Sequence, residues 1–477
     1  MLFRKFSNNG AAVSVRSPLK AATINALGTA LVVIACPQLS HATWFRNKPD
    51  NTTLWTRRDH SRSIGTLVKD GASPEISGLR DRPDCVQRFE GELVLEDLTM
   101  AASSLGYSVL NFSVDLYKQL MAKDQGDGNI FFSPFSISAA LAMALGGARS
   151  NTAEELSAVL HVDADEVHSH FASFFSKLPD YASDVKLNIA NRMYAEQTFP
   201  VLSSYAELLG DKYNTTIESV DFTNKYESVR QVVNSWAEKA TVSRIKCLLP
   251  NGTVDPMTTL VLVNAIYFKG LWSSQFNSKY TRSSDFHLDS RNKTQVEMMF
   301  QESSFSMGHS DDMEVEALEI PYRGSKTSMV LLLPKDIEGL SKLEERLTAL
   351  ALSKMLENMR RCSDVKLYLP KFKLEQAVSL KAKLQAMGIN DFVGPAIDLS
   401  AISNAGKPVA IDVIHTAFVE VNEEGTEAAA ATAADIVSCS LTIPTEERKF
   451  AVDRPFMFLI RSHDPDVVLF IGSVRRL

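Results

Sequence analysis

An α/β fold is the expectation from the order in which apolar residues recur along the chain. Helical spacing comes first, strand alternation follows, and two nearly continuous apolar runs lie among the strands. From Tyr107 on, Val109, Phe112, Leu116 and Leu120 recur at three and four residues and make one apolar helix face. Gly126 and Gly128 break that pattern. Ser136 can cap a second helix over residues 137–145, which Gly146 and Gly147 end, and Thr152-Ala-Glu-Glu155 has the capping-box spacing that starts a third. Later, Val185, Leu187 and Ile189 alternate with polar residues, as do Val365, Leu367 and Leu369. Residues 328–333 and 467–471 suit strands buried on both faces.

The chain has 477 residues, of which 45% are hydrophobic and 22% charged, enough for a large core. A net charge of −7 over this length argues against nucleic acid as the main partner. Residues 1–42 carry Arg4, Lys5, Arg16 and Lys20 with no acidic residue. An apolar run from Ala21 to Cys36 follows, then the small-x-small pattern Ser40-His41-Ala42. This reads as a secretory signal peptide cleaved after Ala42; an uncleaved anchor and a basic organelle-targeting segment are the alternatives. Asn-x-Ser/Thr sequons at Asn51, Asn111, Asn214, Asn251 and Asn292 agree with secretion. Beyond the signal, Cys85, Cys247, Cys362 and Cys439 are too few to form a disulfide framework, and their pairing is left open. Residues 43–105 form a polar extension of mixed charge with Trp44 and Trp55. They read either as a solvated leader or as a docking segment with tryptophan anchors.

Enzyme motifs are absent: there is no G-x-S-x-G elbow, H-E-x-x-H helix, phosphate-binding glycine loop or paired C-x-x-C. His161, His168 and His170 lie among Asp163, Asp165 and Glu166, at a spacing that suits a solvated loop and helix start better than a metal site. No cofactor is expected.

The most informative stretch is Glu423-Glu424-Gly425-Thr426-Glu427-Ala428-Ala429-Ala430-Ala431-Thr432-Ala433-Ala434. Propensity favours a helix. With period 2, however, Thr426, Ala428, Ala430, Thr432, Ala434 and Ile436 share an uncharged, mostly small face, while Glu427 and Asp435 lie on the other. A segment able to stay loose, coil, or slide between two strands behaves as a switch.

Residues 423–431 resemble the reactive-loop hinge of inhibitory serpins: glutamate, a variable residue, glycine, threonine, glutamate, then alanines. Three further segments resemble that family in the right order. They are Asn129-Ile-Phe-Phe-Ser133-Pro134-Phe-Ser136, Leu262-Val-Asn264-Ala-Ile-Tyr-Phe-Lys269-Gly270-Leu-Trp272 and Phe450-Ala-Val-Asp453-Arg454-Pro455-Phe456-Met457. The likeness covers residues 106–477 and implies one α/β domain of three β-sheets and about nine helices with an exposed, insertable reactive-centre loop.

The resemblance further implies a monomer that is not an enzyme but a bait for serine proteases. The protease cuts the loop and forms an acyl-enzyme. The loop then inserts as a new strand and traps the covalent complex before water hydrolyses it. Such an insertion gains two ladders of backbone bonds, on the order of 10 kcal/mol, so the intact state is held kinetically. The family's spacing places the reactive bond sixteen residues beyond Glu423, at Cys439–Ser440, with Val437–Ser438 and Leu441–Thr442 as shifted alternatives. A compact apolar thiol suits a chymotrypsin- or elastase-like pocket. The unusual Cys439 also keeps open a cross-class inhibitor of cysteine proteases, and the fold keeps open a non-inhibitory carrier, chaperone or storage protein. By resemblance, Ser133, Ser136, Asn264 and His415 form the polar "shutter" beneath the central strands, and Trp272 lies at the "breach" where insertion starts. Phe300 stands where some members carry a lysine that pairs with the hinge glutamate, so the partner of Glu423 is left open. Glycosaminoglycan binding is also left open: the segment from Asp165 to Asp184 carries a single cation, Lys177.

Overall fold

The computed structural model describes residues 105–477 apart from 122–127, 182–184, 406–410 and 427–447; upstream it gives only the backbone of short strands between residues 13 and 68. The chain divides into two compact units, Met1–Ala102 and Ser103–Leu477. In the first, Val13–Ser14, Thr43–Asn47, Leu54–Arg58 and Ile64–Val68 form an antiparallel sheet, and Ala22–Ala26 pairs with Thr29–Val33.

The second unit opens with helix Leu105–Met121, which buries Val109, Phe112, Leu116 and Leu120. Helix Pro134–Gly147 follows and is buried along nearly its whole length. Its cap is Ser133, three residues earlier than the Ser136 expected from the sequence: the Ser133 side chain accepts the Ser136 amide, and Pro134 takes the first turn, where its missing N–H costs nothing. The capping box at Thr152–Glu155 does not form either. Helix Ser150–Leu160 starts at Arg149 without a side-chain cap. Thr152 Oγ1 instead accepts the Asp398 amide at 3.0 Å, and Glu155 accepts the Asn390 and Asp391 amides at 2.8 Å. Tertiary partners have outcompeted the local motif.

Two hydrogen-bonded strand networks make up the rest, with nine α-helices among the described residues. The larger network has nine strands because Lys293–Ser310 runs for 18 residues. It pairs with Arg282–His287 over residues 293–298, with Arg360–Pro370 over residues 298–307 and with Val315–Pro321 over residues 306–310, and it bulges between Ser303 and Phe305. One long strand thereby joins these pairings into a single network.

The other network carries the function. Its order is Phe372–Ser379, Ile411–Val421, Gly425–Thr426, Leu260–Leu271, Val185–Glu196, Ile217–Val220. Alternation along Leu260–Leu271 splits the core. Leu260, Leu262, Ile266 and Phe268 join the main core with helix Pro134–Gly147, whereas Val261, Val263, Ala265 and Tyr267 pack with Phe222, Val229, Val233 and Ala237 of helix Phe222–Ala240. The sheet is thus covered on both faces.

One buried charge cluster ties the C-terminus to the helices. Arg475 bonds both oxygens of Glu344, at 2.6 and 2.7 Å, and the Tyr117 hydroxyl donates to the same carboxylate at 2.5 Å. Burial, then the Glu344 charge, push the Tyr117 phenol far above its ordinary value. Arg475→Ala leaves a buried carboxylate without its cation and should cost about 3 kcal/mol or more in urea unfolding. Arg475→Lys should recover part of that loss. An unchanged midpoint for Arg475→Ala would show that the cluster contributes nothing.

Candidate functional site: a parted seam and its hinge

The central feature is a seam. Leu260 to Tyr267 pair in parallel with Ile411 to Phe418. Above that point the two strands separate, and Gly425–Thr426 lies between them, antiparallel to Gly270 and Leu271 on one side and to Val421 on the other. The backbone here demands glycine. Gly425 has φ +151°, and a Cβ on it would come within 2.1 Å of the Gly270 carbonyl oxygen. Thr426 is fully buried, its hydroxyl 2.8 Å from that of Tyr322.

Deeper in the sheet, register places Asn191, Asn264 and His415 in one row across three strands. All face helix Pro134–Gly147. The Ser133 amide donates to His415 Nε2 at 3.0 Å, so Nδ1 carries the proton and donates to Asn264 Oδ1. Asn264 Nδ2 reaches the Ser136 carbonyl and hydroxyl, each at 2.7 Å, and Asn191 Oδ1 at 2.5 Å. The Ser133 hydroxyl donates to the Leu469 carbonyl at 2.6 Å. Ser133, Ser136, Asn264 and His415 are therefore brought together, with Asn191 as a fifth member that carried no signal in the sequence. Burial drives the His415 pKa down to about 3. With both nitrogens occupied it has no site free to act as a general base.

The root of the hinge is held separately. Trp272 stacks on Tyr322 at 4.6 Å and 9°, and its Nε1 donates to the Asn422 carbonyl at 2.9 Å. The Trp272 and Phe276 amides bond the Glu424 and Glu423 carbonyls, both at 2.9 Å. Glu423 itself receives Lys371 Nζ and Thr281 Oγ1, each at 2.8 Å. Burial opposes its charge, but these bonds prevail and hold the carboxyl below the ordinary glutamate value. Phe300 is thus not the position that decides the partner of Glu423. It packs instead on Tyr368 at 5.0 Å, and Lys371, just past strand Arg360–Pro370, supplies the cation. A lysine in the one-residue link between two alternating strands gives no sequence signal of what it will face.

Other expectations are dispersed. His161 Nε2 pairs with Asp115 at 2.8 Å and His168 Nδ1 with the Tyr213 hydroxyl at 2.6 Å, and among the described residues no metal-binding group occurs. Asn214, Asn251 and Asn292 are exposed. Asn111 is half-buried in a helix, with its amide on the Tyr107 carbonyl and Ser113 of its sequon inward, which disfavours modification. Cys247 and Cys362 are free thiols. Glu427, Ala428, Ala429, Ala430, Ala431, Cys439 and Ser440 lie outside the described residues, as do Cys85 and Asn51; of the candidate signal peptide only the backbone of three short strands is described.

Acid should weaken this site in two windows. Above pH 6.5, His415 is neutral folded and unfolded and has no effect. Between pH 6.5 and about 3 the unfolded chain binds a proton that the folded one refuses, so stability falls with pH, to on the order of 5 kcal/mol. The contribution of Glu423 is fully present above pH 4.5 and is lost as pH drops through its depressed value. In urea unfolding, His415→Gln should flatten the slope between pH 6.5 and 5; an unchanged slope would mean that His415 titrates normally.

The description "Serpin (serine protease inhibitor)" is that of the family model matched by residues 107–477. "Iris" of Ixodes ricinus is 58% identical over 377 residues, which span 79% of this chain and all of that protein. Leukocyte elastase inhibitor A of Mus musculus is 41% identical over 76% of this chain and 97% of its own length. Among solved structures, uncleaved ovalbumin superposes with a TM-score of 0.72 at 29% identity, covering 79% of this chain and the whole of that one. A hinge seated at the head of a parted sheet, above a buried polar row, is thus found in a chain that belongs to the serpin family.

Proposed function

We propose that this protein is a secreted suicide-substrate inhibitor of serine proteases of chymotrypsin or elastase type. What carries the reading is the seat of Gly425–Thr426. The register Thr426–Gly270 and Gly425–Leu271, continued downward, sets residue 432 opposite Asn264 and residue 436 opposite Leu260. Thr426, Ala428, Ala430, Thr432, Ala434 and Ile436 would then join the face toward helix Pro134–Gly147, where no charge need be buried. Glu427 would meet Lys269, and Asp435 would lie on the face toward helix Phe222–Ala240. A hinge with bulky or charged residues on the inserting face, suited to a carrier, would not fit this slot.

The mechanism follows. The protease acylates on the residue preceding the cut, and the freed loop replaces the parallel seam with a strand bonded on both sides. The tethered enzyme is carried along and its active site distorted before deacylation. The compact Cys439 supports an elastase- or chymotrypsin-like target, as does the relative named for leukocyte elastase. The basic segment, apolar run and Ser40-His41-Ala42 support secretion through a signal peptide, and exposed Asn214, Asn251 and Asn292 support glycosylation there.

Incubation with a protease panel should give complexes stable in hot detergent with at least one chymotrypsin- or elastase-type enzyme; their absence throughout would favour the carrier reading. Thr426→Arg would bury a cation against Tyr322, costing several kcal/mol, and should convert the inhibitor into a substrate that is cleaved without being trapped. Undiminished complex formation by that variant would overturn insertion.

The reactive bond is tested independently. The released C-terminal fragment should begin at Ser440, and Cys439→Arg should gain trypsin-like targets, whose pocket carboxylate pairs with a guanidinium. A fragment beginning at Ser438 or Thr442 would shift the bond and remove the specificity argument.

A further inference from the structure

Between helix Phe222–Ala240 and strand Leu260–Leu271 the chain returns over the sheet as a strap, residues 241–259. Its Ile245, Leu248, Leu249 and Val254 are buried and share a core cluster with Val261, Val263 and Phe418 of the two seam strands. Asn234 of the helix fastens the strap, accepting the Leu249 amide at 2.7 Å and donating to the Leu249 carbonyl at 2.9 Å. Arg230 Nη1 donates to the same carbonyl, also at 2.9 Å. Between Leu249 and Val254 the strap turns outward. The Thr253 amide closes this turn on the Pro250 carbonyl at 3.3 Å, and Asn251 and Gly252 form its exposed tip.

Asn251 stands apart from the other asparagines. Among the described residues it is the only one that precedes a glycine. Its carboxamide has no hydrogen-bond partner among them, whereas those of Asn224 and Asn292 are held by Asp221 at 3.0 Å and by Asp289 at 2.8 Å. The Gly252 amide is likewise unbonded among the described residues, and a Cβ added at Gly252 would meet nothing within 4 Å. Gly252 has φ +80°, as a type II turn requires of its third residue, which is why glycine stands there. A backbone nitrogen with no side chain beside it and no bond restraining it is within reach of the Asn251 carboxamide carbon, since closure makes an unstrained five-membered ring.

We propose that Asn251 is a site of self-modification, where the strap converts spontaneously to aspartate and isoaspartate. The Gly252 nitrogen bonds to Asn251 Cγ and the Cγ–Nδ2 bond breaks. Nδ2 departs as ammonia, taking the proton that the Gly252 nitrogen gives up. Water then opens the cyclic imide at either carbonyl. Opening at Cγ leaves aspartate; opening at the main-chain carbon leaves isoaspartate, whose backbone runs through Cβ and Cγ and is longer by one carbon. Leu249 and Val254 are fixed on either side, so the longer backbone and the new charge strain a cover that packs on both seam strands. The sequon Asn251-Gly252-Thr253 uses the same Nδ2, so a glycan there would block the reaction. That protection rests on the secretory reading above; the reaction itself needs neither secretion nor protease inhibition.

The full chain, made in bacterial cytosol and so free of glycans, should be kept folded and warm at mildly alkaline pH while its peptides are followed by mass spectrometry. The peptide carrying residue 251 should gain the mass difference between an amide and an acid and separate into two forms. It should do so roughly tenfold faster than the peptides carrying Asn214, Asn292 or Asn404. Asn251→Gln, which needs a larger ring, and Gly252→Ala, whose methyl crowds the nitrogen, should each slow the conversion about tenfold. Should Gly252→Ala disturb the turn, Asn251→Gln decides. The converted protein should melt about 2 °C lower, and Asn251→Asp, with the charge but no added carbon, should fall less. No mass gain, or a gain no faster than at the other asparagines, overturns the site. Full conversion with an unmoved midpoint overturns its effect on the strap. From a secreting host, Thr253→Ala should convert and the unaltered chain should not; equal conversion of both overturns protection by a glycan and leaves the reaction standing.

Discussion

The parallel ladder between Leu260–Leu271 and Ile411–Val421 is the constraint on which the other parts of the sheet depend. Parallel pairing is slightly weaker per residue than antiparallel pairing. The two-residue hinge above it already runs antiparallel to both neighbours. Extending that hinge downward would exchange one weaker ladder for two stronger ones. Helix Pro134–Gly147 covers one face of the seam and helix Phe222–Ala240 the other, so the paired strands are buried on both sides.

On the inhibitory reading, distance and order would delay that exchange. From Gly270 at the head of the seam to Asn264 in the polar row is six residues, about 20 Å of strand. Opening must cross that span before the His415–Asn264 and His415–Ser133 bonds yield. Those bonds are each worth about 1 kcal/mol net and can be replaced once a strand arrives, so they act on the rate more than on the final balance. The contacts at the hinge root differ in kind. Lys371, Thr281 and the Trp272 indole hold residues 422–424, which would stay outside the slot on the inhibitory reading, so their loss would free the root without altering the strand that would enter.

Much of this was legible in the sequence, and the exceptions share a cause. Period-2 alternation located Val185–Glu196 and Arg360–Pro370, and the resemblance named Ser133, Ser136, Asn264 and His415, which the fold gathers. Asn191 was missed because its place in the row depends on register between distant strands, which no local pattern encodes. Lys371 was missed for a related reason: its role is set by where the turn after Pro370 points. The capping box at Thr152 failed in the opposite direction, since a valid local motif lost its side chains to the amides of residues 390, 391 and 398.

Tyr280 and Thr281 are consecutive, and their neighbours differ. Thr281 bonds Glu423 at the root of the hinge, while Tyr280 adjoins the ring of Phe300 on the outer face. One short turn therefore carries both a restraint on the hinge and an exposed ring. On the inhibitory reading, a weakened hinge root would change how many inhibitor molecules are consumed per trapped enzyme. The Thr281 amide is bonded to the Ser278 carbonyl, and this backbone anchor fixes where the Thr281 hydroxyl meets Glu423.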